Sequence, residues 1–153
     1  MAVTNQASVQ ASMQANPGTG RLQPADMGDV RLAYFSHTQV GAGDATSTVD
    51  LIRLPAGRVR VIGHLSRVNT SAFGSSRTLA IGHAAAFAVG GGAIDASTDA
   101  FAAATSVADA GGFAGAGFPL IETESGIPVR ATVAGGTIPN EATIEGVIAY
   151  MVG

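Results

Sequence analysis

The clearest alternation of apolar and polar side chains lies in residues 50–68, which read D-L-I-R-L-P-A-G-R-V-R-V-I-G-H-L-S-R-V. Two apolar runs, residues 48–54 and 58–68, are joined by Pro55-Ala56-Gly57. This tripeptide is typical of a turn, because proline fixes φ and glycine accepts positive φ. A period of two predicts a strand with one covered and one solvated face. The covered face would carry Val59, Val61, Gly63 and Leu65, and the solvated face Arg58, Arg60, His64 and Ser66.

Strand-like runs bounded by glycine and proline recur along the chain, at residues 28–40, 77–82, 118–123, 127–133 and 142–152. Pro128 lacks an N–H, so we expect it at a sheet edge or among the first residues of its strand. The last run is apolar on both faces, which indicates a central strand or one covered on both sides.

One helix is expected in the body of the chain, at residues 97–110. Ser97 or Thr98 can cap it, Asp99 suits the positive end of the helix dipole, and a glycine pair follows it directly. Its buried stripe would contain Phe101, Ala104, Val107 and Ala108. About seven or eight short strands with glycine and proline turns, plus one short helix, predict an all-β jelly roll or β-sandwich.

Residues 1–25 have a different character from the rest and are expected to form an extended N-terminal arm, with the β domain at residues 26–153. The arm is rich in Ala, Gln, Ser, Thr and Asn, and its first charge is Arg21. Its apolar positions are too few to fold alone. We therefore expect a neighbouring subunit to hold it, the alternative being an arm that lies on its own domain.

The composition favours a chain that is completed by its neighbours. Apolar residues make up 46% of the sequence, but much of this is alanine, and glycine contributes 21 residues. Small side chains bury little area, so burial at ~25 cal/mol per Å² gives an isolated monomer a modest driving force. Only 12% of residues are charged, and every cation is an arginine. A surface largely covered by other subunits fits this composition.

Several classes of function are disfavoured by the same numbers. The net charge of −3 and the absence of lysine argue against a general nucleic-acid binder. No run approaches the roughly 18 apolar residues of a membrane span, and the first residues lack the pattern of a secretory signal. The absence of cysteine excludes disulfides and thiolate metal sites.

Candidate catalytic and metal-binding residues form no recognised motif. His37, His64 and His83 stand far apart in the sequence, with no H-x-H or H-x-x-E pattern, so we expect no metal site. Glu122 and Glu124 are best interpreted as the solvated side of an edge strand. The glycine run at residues 90–92 lacks the lysine that a phosphate-binding loop requires. The prediction is a protein that is not an enzyme and carries no cofactor.

The arginines offer a stronger indication. Arg53, Arg58, Arg60 and Arg67 fall within one segment, on strands expected to be neighbours. The guanidinium group forms bidentate pairs with carboxylates and is weakly hydrated, which suits interface ion pairs. We expect these four residues to bind acidic groups across a subunit contact. The alternative is pairing within the chain, with Asp50, Glu141 or Glu145.

Four features together resemble small virion proteins of tailed bacteriophages. They are the strand, L-P-A-G turn and strand of residues 48–68, then R-T-L-A-I-G, then the Ala-rich segment with its acidic cap, and finally E-A-T-I-E-G-V-I-A-Y-M-V. The resemblance covers roughly residues 28–152. It implies a jelly-roll decoration or cement protein on the capsid exterior, frequently a trimer, with the major capsid protein and further copies of itself as partners.

On this interpretation the arm attaches the protein to the capsid and the arginine strands join subunits. The arm residues expected to make the attachment are Val3, Val9, Met13 and Leu22. One alternative is a receptor- or carbohydrate-binding module of the head or tail. It would need exposed aromatic platforms, and the chain has two Tyr, six Phe and no Trp. A cupin-like enzyme would need the three histidines to meet, and major shell subunits of tailed phages are generally longer chains.

Overall fold

The computed structural model describes residues 28–44 and 46–153. The predicted arm, with Val3, Val9, Met13 and Leu22, lies outside these residues. In chain order the strands are β1 Arg31–Thr38, β2 Thr48–Leu54, β3 Gly57–Val61, β4 Arg67–Thr70, β5 Thr78–His83, β6 Ala86–Phe87, β7 Ala93–Ile94, β8 Ser97–Ser106, β9 Gly111–Ala114, β10 Leu120–Thr123, β11 Ile127–Ala134 and β12 Thr143–Val152.

Two antiparallel sheets contain ten of these strands. In the six-stranded sheet β12 is central: β1 pairs with one of its edges, while β4 and β3 share the other. Beyond them β9 pairs with β4, and β10 pairs with β3. The four-stranded sheet has the order β2-β11-β5-β8, and β6 and β7 form a separate hairpin. Consecutive strands mostly cross from one sheet to the other, and this all-β jelly-roll sandwich confirms the predicted fold class.

The core forms between the sheets because inward positions alternate along each strand. In β11 the buried residues are Ile127, Val129, Ala131 and Val133, with less buried residues between them. Bulky side chains fill the space that the many small residues leave, among them Phe35, Phe73 and Phe101. β12 contacts strands on both of its edges, as predicted for a central strand. Pro128 is the second residue of β11, in agreement with its expected place near a strand start.

The predicted helix at residues 97–110 is wrong. Residues Ser97–Ser106 form β8, which pairs with β5, and the glycine pair begins β9 instead of ending a helix. Alanine has the highest intrinsic helix propensity, but such propensities are small per residue, and the pairing with β5 outweighs them. Phe101 and Val107 are buried as expected, but Ala104 is exposed.

The strand predicted at residues 58–68 is interrupted by a 3₁₀ turn at Gly63–Leu65. The turn changes the phase of the alternation, so Leu65 is exposed and Ser66 is buried, the reverse of the prediction. Ser66 compensates for its burial through its hydroxyl group, which donates a hydrogen bond to the Ile62 carbonyl and accepts one from the Ala149 amide, both at 3.0 Å. A buried hydroxyl needs such partners, and the sequence pattern could not reveal them.

Candidate interaction surfaces

Three of the four candidate arginines lie on the six-stranded sheet. Arg58 pairs across strands with Glu122, its Nε 3.3 Å from the carboxylate oxygen Oε1. The contact is an ion pair without a well-aligned hydrogen bond, because the buried Nε–H has no hydrogen-bond acceptor. Arg60 donates to the Phe118 carbonyl at 3.3 Å. Arg67 is exposed on β4.

Arg53 lies on the other sheet, so the four arginines do not share one surface. β2 and β3 are consecutive in the chain but belong to different sheets, which separates Arg53 from the other three. The Arg53 guanidinium donates to the carbonyls of Ser125 and Gly126, each at 3.4 Å. It therefore supports the turn between β10 and β11.

The best-formed ion pair of the four-stranded sheet joins Arg130 and Asp50. The predicted arginine pairs, whether across a subunit contact or within the chain, did not include Arg130. Arg130 Nε lies 2.6 Å from one carboxylate oxygen and its second nitrogen 3.2 Å from the other, a bidentate arrangement. The hydrogen bond from Arg130 lowers the pKa of Asp50 below its ordinary value of 3.8, and the same bond raises the pKa of Arg130.

Replacing Asp50 should give a small, pH-dependent loss of stability. A carboxylate whose pKa is lower in the folded than in the unfolded chain stabilises the fold fully at pH values above its pKa in the unfolded chain. This contribution is lost as the pH falls through the pKa that the group has in the folded protein. Because the pair is largely exposed, we expect Asp50→Asn to cost at most about 1 kcal/mol at pH 7.

Urea unfolding at pH 7 and at a pH well below 3.8 measures the difference in unfolding free energy between wild type and variant, which should vanish in acid. Asp44→Asn, at another exposed carboxylate, is the control. An Asp50→Asn penalty that persists unchanged in acid would contradict the ion-pair explanation.

The outer face of the six-stranded sheet exposes several apolar side chains. On β1, Leu32 is 65% and Tyr34 is 63% exposed, and Leu65, Phe118 and Leu120 are exposed around the same sheet. A shallow depression of about 250 Å³ beside Tyr34 is lined by Tyr34, Arg67, Asn69, Glu145, Gly146 and Val147. This face therefore combines apolar contact area with charged groups, as protein interfaces commonly do.

The β6–β7 hairpin is a second exposed apolar feature, in a segment where the sequence pattern predicts no strand. Phe87 and Val89 are 61% and 64% exposed. The Gly90 amide donates to the carboxylate of Glu124 at 3.1 Å, and the Glu124 amide donates to the Phe87 carbonyl at 3.0 Å. Glu124 thus holds the hairpin against the turn after β10. Three consecutive glycines between two short apolar runs are the sequence signal that indicates such a hairpin.

The three histidines occupy three different settings. His37 Nε2 lies 3.2 Å from the side-chain oxygen of Gln39, and the His64 ring contacts Phe118. His83 is buried, with Nδ1 3.0 Å from the Ala84 carbonyl. In residues 28–44 and 46–153 no group of three or more His, Cys, Asp or Glu side chains is placed to hold a metal ion. Within the same residues no helix has the length and apolar character needed to cross a membrane.

Comparison with known proteins gives matches to solved structures of viral particles. No protein-family model and no curated protein matches the sequence. One chain of the structure described as the cyanophage Pam1 capsid asymmetric unit superposes with a TM-score of 0.61 at 20% identity, and the match covers 100% of both chains. A chain of infectious bursal disease virus, Gt strain, has a TM-score of 0.52 at 11% identity. That match covers 82% of this chain but 32% of the viral one.

At these identities the matches establish a shared fold. The jelly roll of this chain is one that occurs in virus particles, and the cyanophage match extends from one end of both chains to the other. In the second match the chain spans about a third of the viral protein's length.

Proposed function

We propose that this chain is a structural, non-enzymatic protein of a bacteriophage virion, which binds the outside of the capsid and stabilises it as a decoration or cement protein. The observation that carries the proposal is the match, over the full length of both chains, to a component of a cyanophage capsid asymmetric unit. The composition supports the same role, because a chain with few charges and many small side chains suits a surface that other subunits cover.

Stabilisation would come from contact area added across the joints between capsid subunits. Packaged DNA presses the shell outward, and each bound copy adds contacts that must break before two subunits separate. Single contacts of this kind are weak, but many copies repeated over the shell act together. The major capsid protein is the partner in this scheme, and the copies would also contact one another, in the trimer that the family resemblance implies.

The outer face of the six-stranded sheet is the described surface best suited to these contacts. It presents the exposed side chains of Leu32 and Tyr34, and Tyr34 lines one depression together with the exposed residue Arg67. Arginine and tyrosine are enriched at interfaces, because both add contact area and directed hydrogen bonds. The arm residues Val3, Val9, Met13 and Leu22 are proposed to complete the attachment.

Rebinding to capsids tests the proposal. Purified protein is added to phage heads that lack it, and binding is followed by co-sedimentation. We expect saturable binding, and we expect deletion of residues 1–25 to abolish it while leaving the β domain folded. Tyr34→Ala should weaken binding, whereas Val40→Ala, at an exposed loop residue, should not.

Intact protein that stays in the supernatant at all concentrations would contradict the capsid role. A truncated form that binds as well as the intact one would contradict the role of the arm.

The receptor- or carbohydrate-binding alternative has less support from the structure. Stacking on sugars requires aromatic side chains grouped into a platform. Among the described residues the exposed aromatic side chains are separated: Tyr34 lies on β1, Phe87 on β6 and Phe118 in the loop before β10.

A further inference from the structure

The sheet edges of the described residues differ in how well they are protected against pairing with another strand. Natural proteins protect edges with bulges, short strands, proline or charge. The β2 edge has a register shift against β11, and the pairing of β8 with β5 is interrupted twice. β9 and β10 have four residues each. β1 has eight residues in an unbroken register with β12, with no proline and with Arg31 as its one Asp, Glu, Lys or Arg residue.

The direction of the β1 backbone groups follows from its partner. Ala149 of β12 is opposite Leu32. However, the Ala149 amide donates a hydrogen bond to Ser66 Oγ, and its carbonyl accepts one from the Ile62 amide. Both partners lie on the side of β12 that faces away from β1. Leu32 and Ala149 therefore form a non-hydrogen-bonded pair. Hydrogen-bonded and non-hydrogen-bonded pairs alternate along an antiparallel ladder. The N–H and C=O groups of Leu32, Tyr34, Ser36 and Thr38 therefore all point away from β12, toward the free edge.

The residues with these outward backbone groups also carry exposed side chains. Leu32, Tyr34, Ser36 and Thr38 are all exposed, whereas Phe35 is buried between the sheets. No other described strand of the six-stranded sheet pairs with this edge. The edge is thus a regular row of backbone donors and acceptors, bordered by exposed apolar side chains.

We propose that β1 pairs antiparallel with β1 of a second copy of this chain, which joins their six-stranded sheets across a two-fold axis at Tyr34. In this register Tyr34 is opposite the second copy's Tyr34, and Leu32 is opposite its Ser36. Residues that face each other lie on the same face of the sheet, so Phe35 and Ala33 remain directed inward. The single Tyr34–Tyr34 pairing and the two Leu32–Ser36 pairings supply about six backbone hydrogen bonds, two for each pairing.

The strand is complementary to itself in this register. The exposed Tyr34 and Leu32 side chains of both copies form one apolar row, with each Leu32 diagonal to the opposite Tyr34, within reach of a cross-strand contact. The two Arg31 side chains lie far apart, each opposite His37 of the other copy. A symmetric contact of this kind uses the same patch on both molecules. It is compatible with contacts through the outer face of the six-stranded sheet, because its hydrogen bonds use the backbone edge of β1.

A contact built on one strand should be weak in solution. Its area falls in the small class of specific interfaces, below about 1,200 Å² in total. Copies held side by side on a shell would have a high effective concentration, and the pairing would then add to the stability of the layer. The pairing itself requires no capsid, because it joins two copies of this chain.

Single-cysteine variants test the pairing, since the chain has no cysteine of its own. Tyr34→Cys should form a disulfide-linked dimer on oxidation of concentrated full-length protein, because the two Cα atoms would lie about 5.5 Å apart, within disulfide range. Ser36→Cys is the matched control on the same strand. In the proposed register its two sulfur atoms lie about 13 Å apart along the strand, too far for a disulfide.

A second cross-linking experiment tests which positions of the two strands face each other. Neither Leu32→Cys nor Ser36→Cys should cross-link alone, but an equimolar mixture of the two should, because these positions face each other. We expect at least about tenfold more dimer in the mixture than in either variant alone. Cross-linking of Tyr34→Cys should also fall when Leu32→Lys is added, but not when Val40→Lys is added in the loop after β1. Equal cross-linking of all variants, or none in Tyr34→Cys and the mixture, would overturn the proposal, whatever the outcome of the capsid-binding experiment.

Discussion

Gly146→Ala is expected to destabilise the protein by about 3 kcal/mol, the upper end of the usual cost of forcing an extra carbon atom into a packed core. Gly146 lies in the middle of β12, paired with β1 on one side and β4 on the other. A Cβ atom at this position would lie 2.1 Å from the carbonyl oxygen of Arg67 and 2.9 Å from the Phe35 ring. The carbonyl belongs to the paired backbone, so relief of the clash must separate β4 from β12.

Gly111→Ala provides the control for this prediction. A Cβ atom at Gly111 has no atom within 4 Å, and the residue begins the edge strand β9. Replacing a glycine at an open position reduces the entropy of the unfolded chain, so this variant should be neutral or more stable by up to about 1 kcal/mol. Urea unfolding at pH 7 measures both variants. Equal midpoints for the two would contradict the close approach of β12 and β4.

Phe101→Ala is expected to cost about 3–5 kcal/mol, the usual range for removing a buried aromatic ring. Phe101 is 1% exposed in β8, and its ring packs against His83 with centroids 5.8 Å apart. The many alanines and glycines around the core have no long side chains that could fill the space. Most of the cavity should therefore remain, and the cost should lie toward the upper end of that range.

The matched control removes the same ring from an exposed site. Phe87→Ala, at 61% exposure on the β6–β7 hairpin, should change the free energy of unfolding by less than about 0.5 kcal/mol. Thermal or urea unfolding compares the two variants directly. If Phe101→Ala lowered the free energy of unfolding as little as Phe87→Ala does, this would contradict the packing of the Phe101 ring between the sheets.

The sequence predicted most strands because their alternation reflects burial directly. β5, β11 and β12 lie where the pattern places them, and inward residues such as Leu79 and Ile144 are buried. The prediction failed where local preference and pairing compete. Ser97–Ser106 has an Ala-rich, capped, helix-like pattern, but hydrogen bonding to β5 decides its conformation. In the same way, the 3₁₀ turn buries Ser66, and its hydroxyl group can be buried because it finds partners 4 and 83 residues away in the chain.

The candidate surface was predictable in part. The sequence placed Arg58, Arg60 and Arg67 near one another, but it could not reveal that the chain crosses between sheets after β2 and carries Arg53 to the other one. Two ion pairs of residues 28–44 and 46–153, Arg58 with Glu122 and Arg130 with Asp50, join residues 64 and 80 positions apart. Which carboxylate faces which arginine depends on strand register, and a single sequence contains no direct signal for it. The exposure of Leu32 and Tyr34 likewise follows from the position of β1 at a sheet edge.

Electron cryo-microscopy of heads reloaded with the purified protein tests the central claim most directly. A difference map between reloaded and bare heads should have extra density on the outer surface, repeated with the symmetry of the shell and shaped to fit a jelly roll of this size. This density should also contact at least two capsid subunits. Identical maps, or density confined to the interior or the tail, would contradict it.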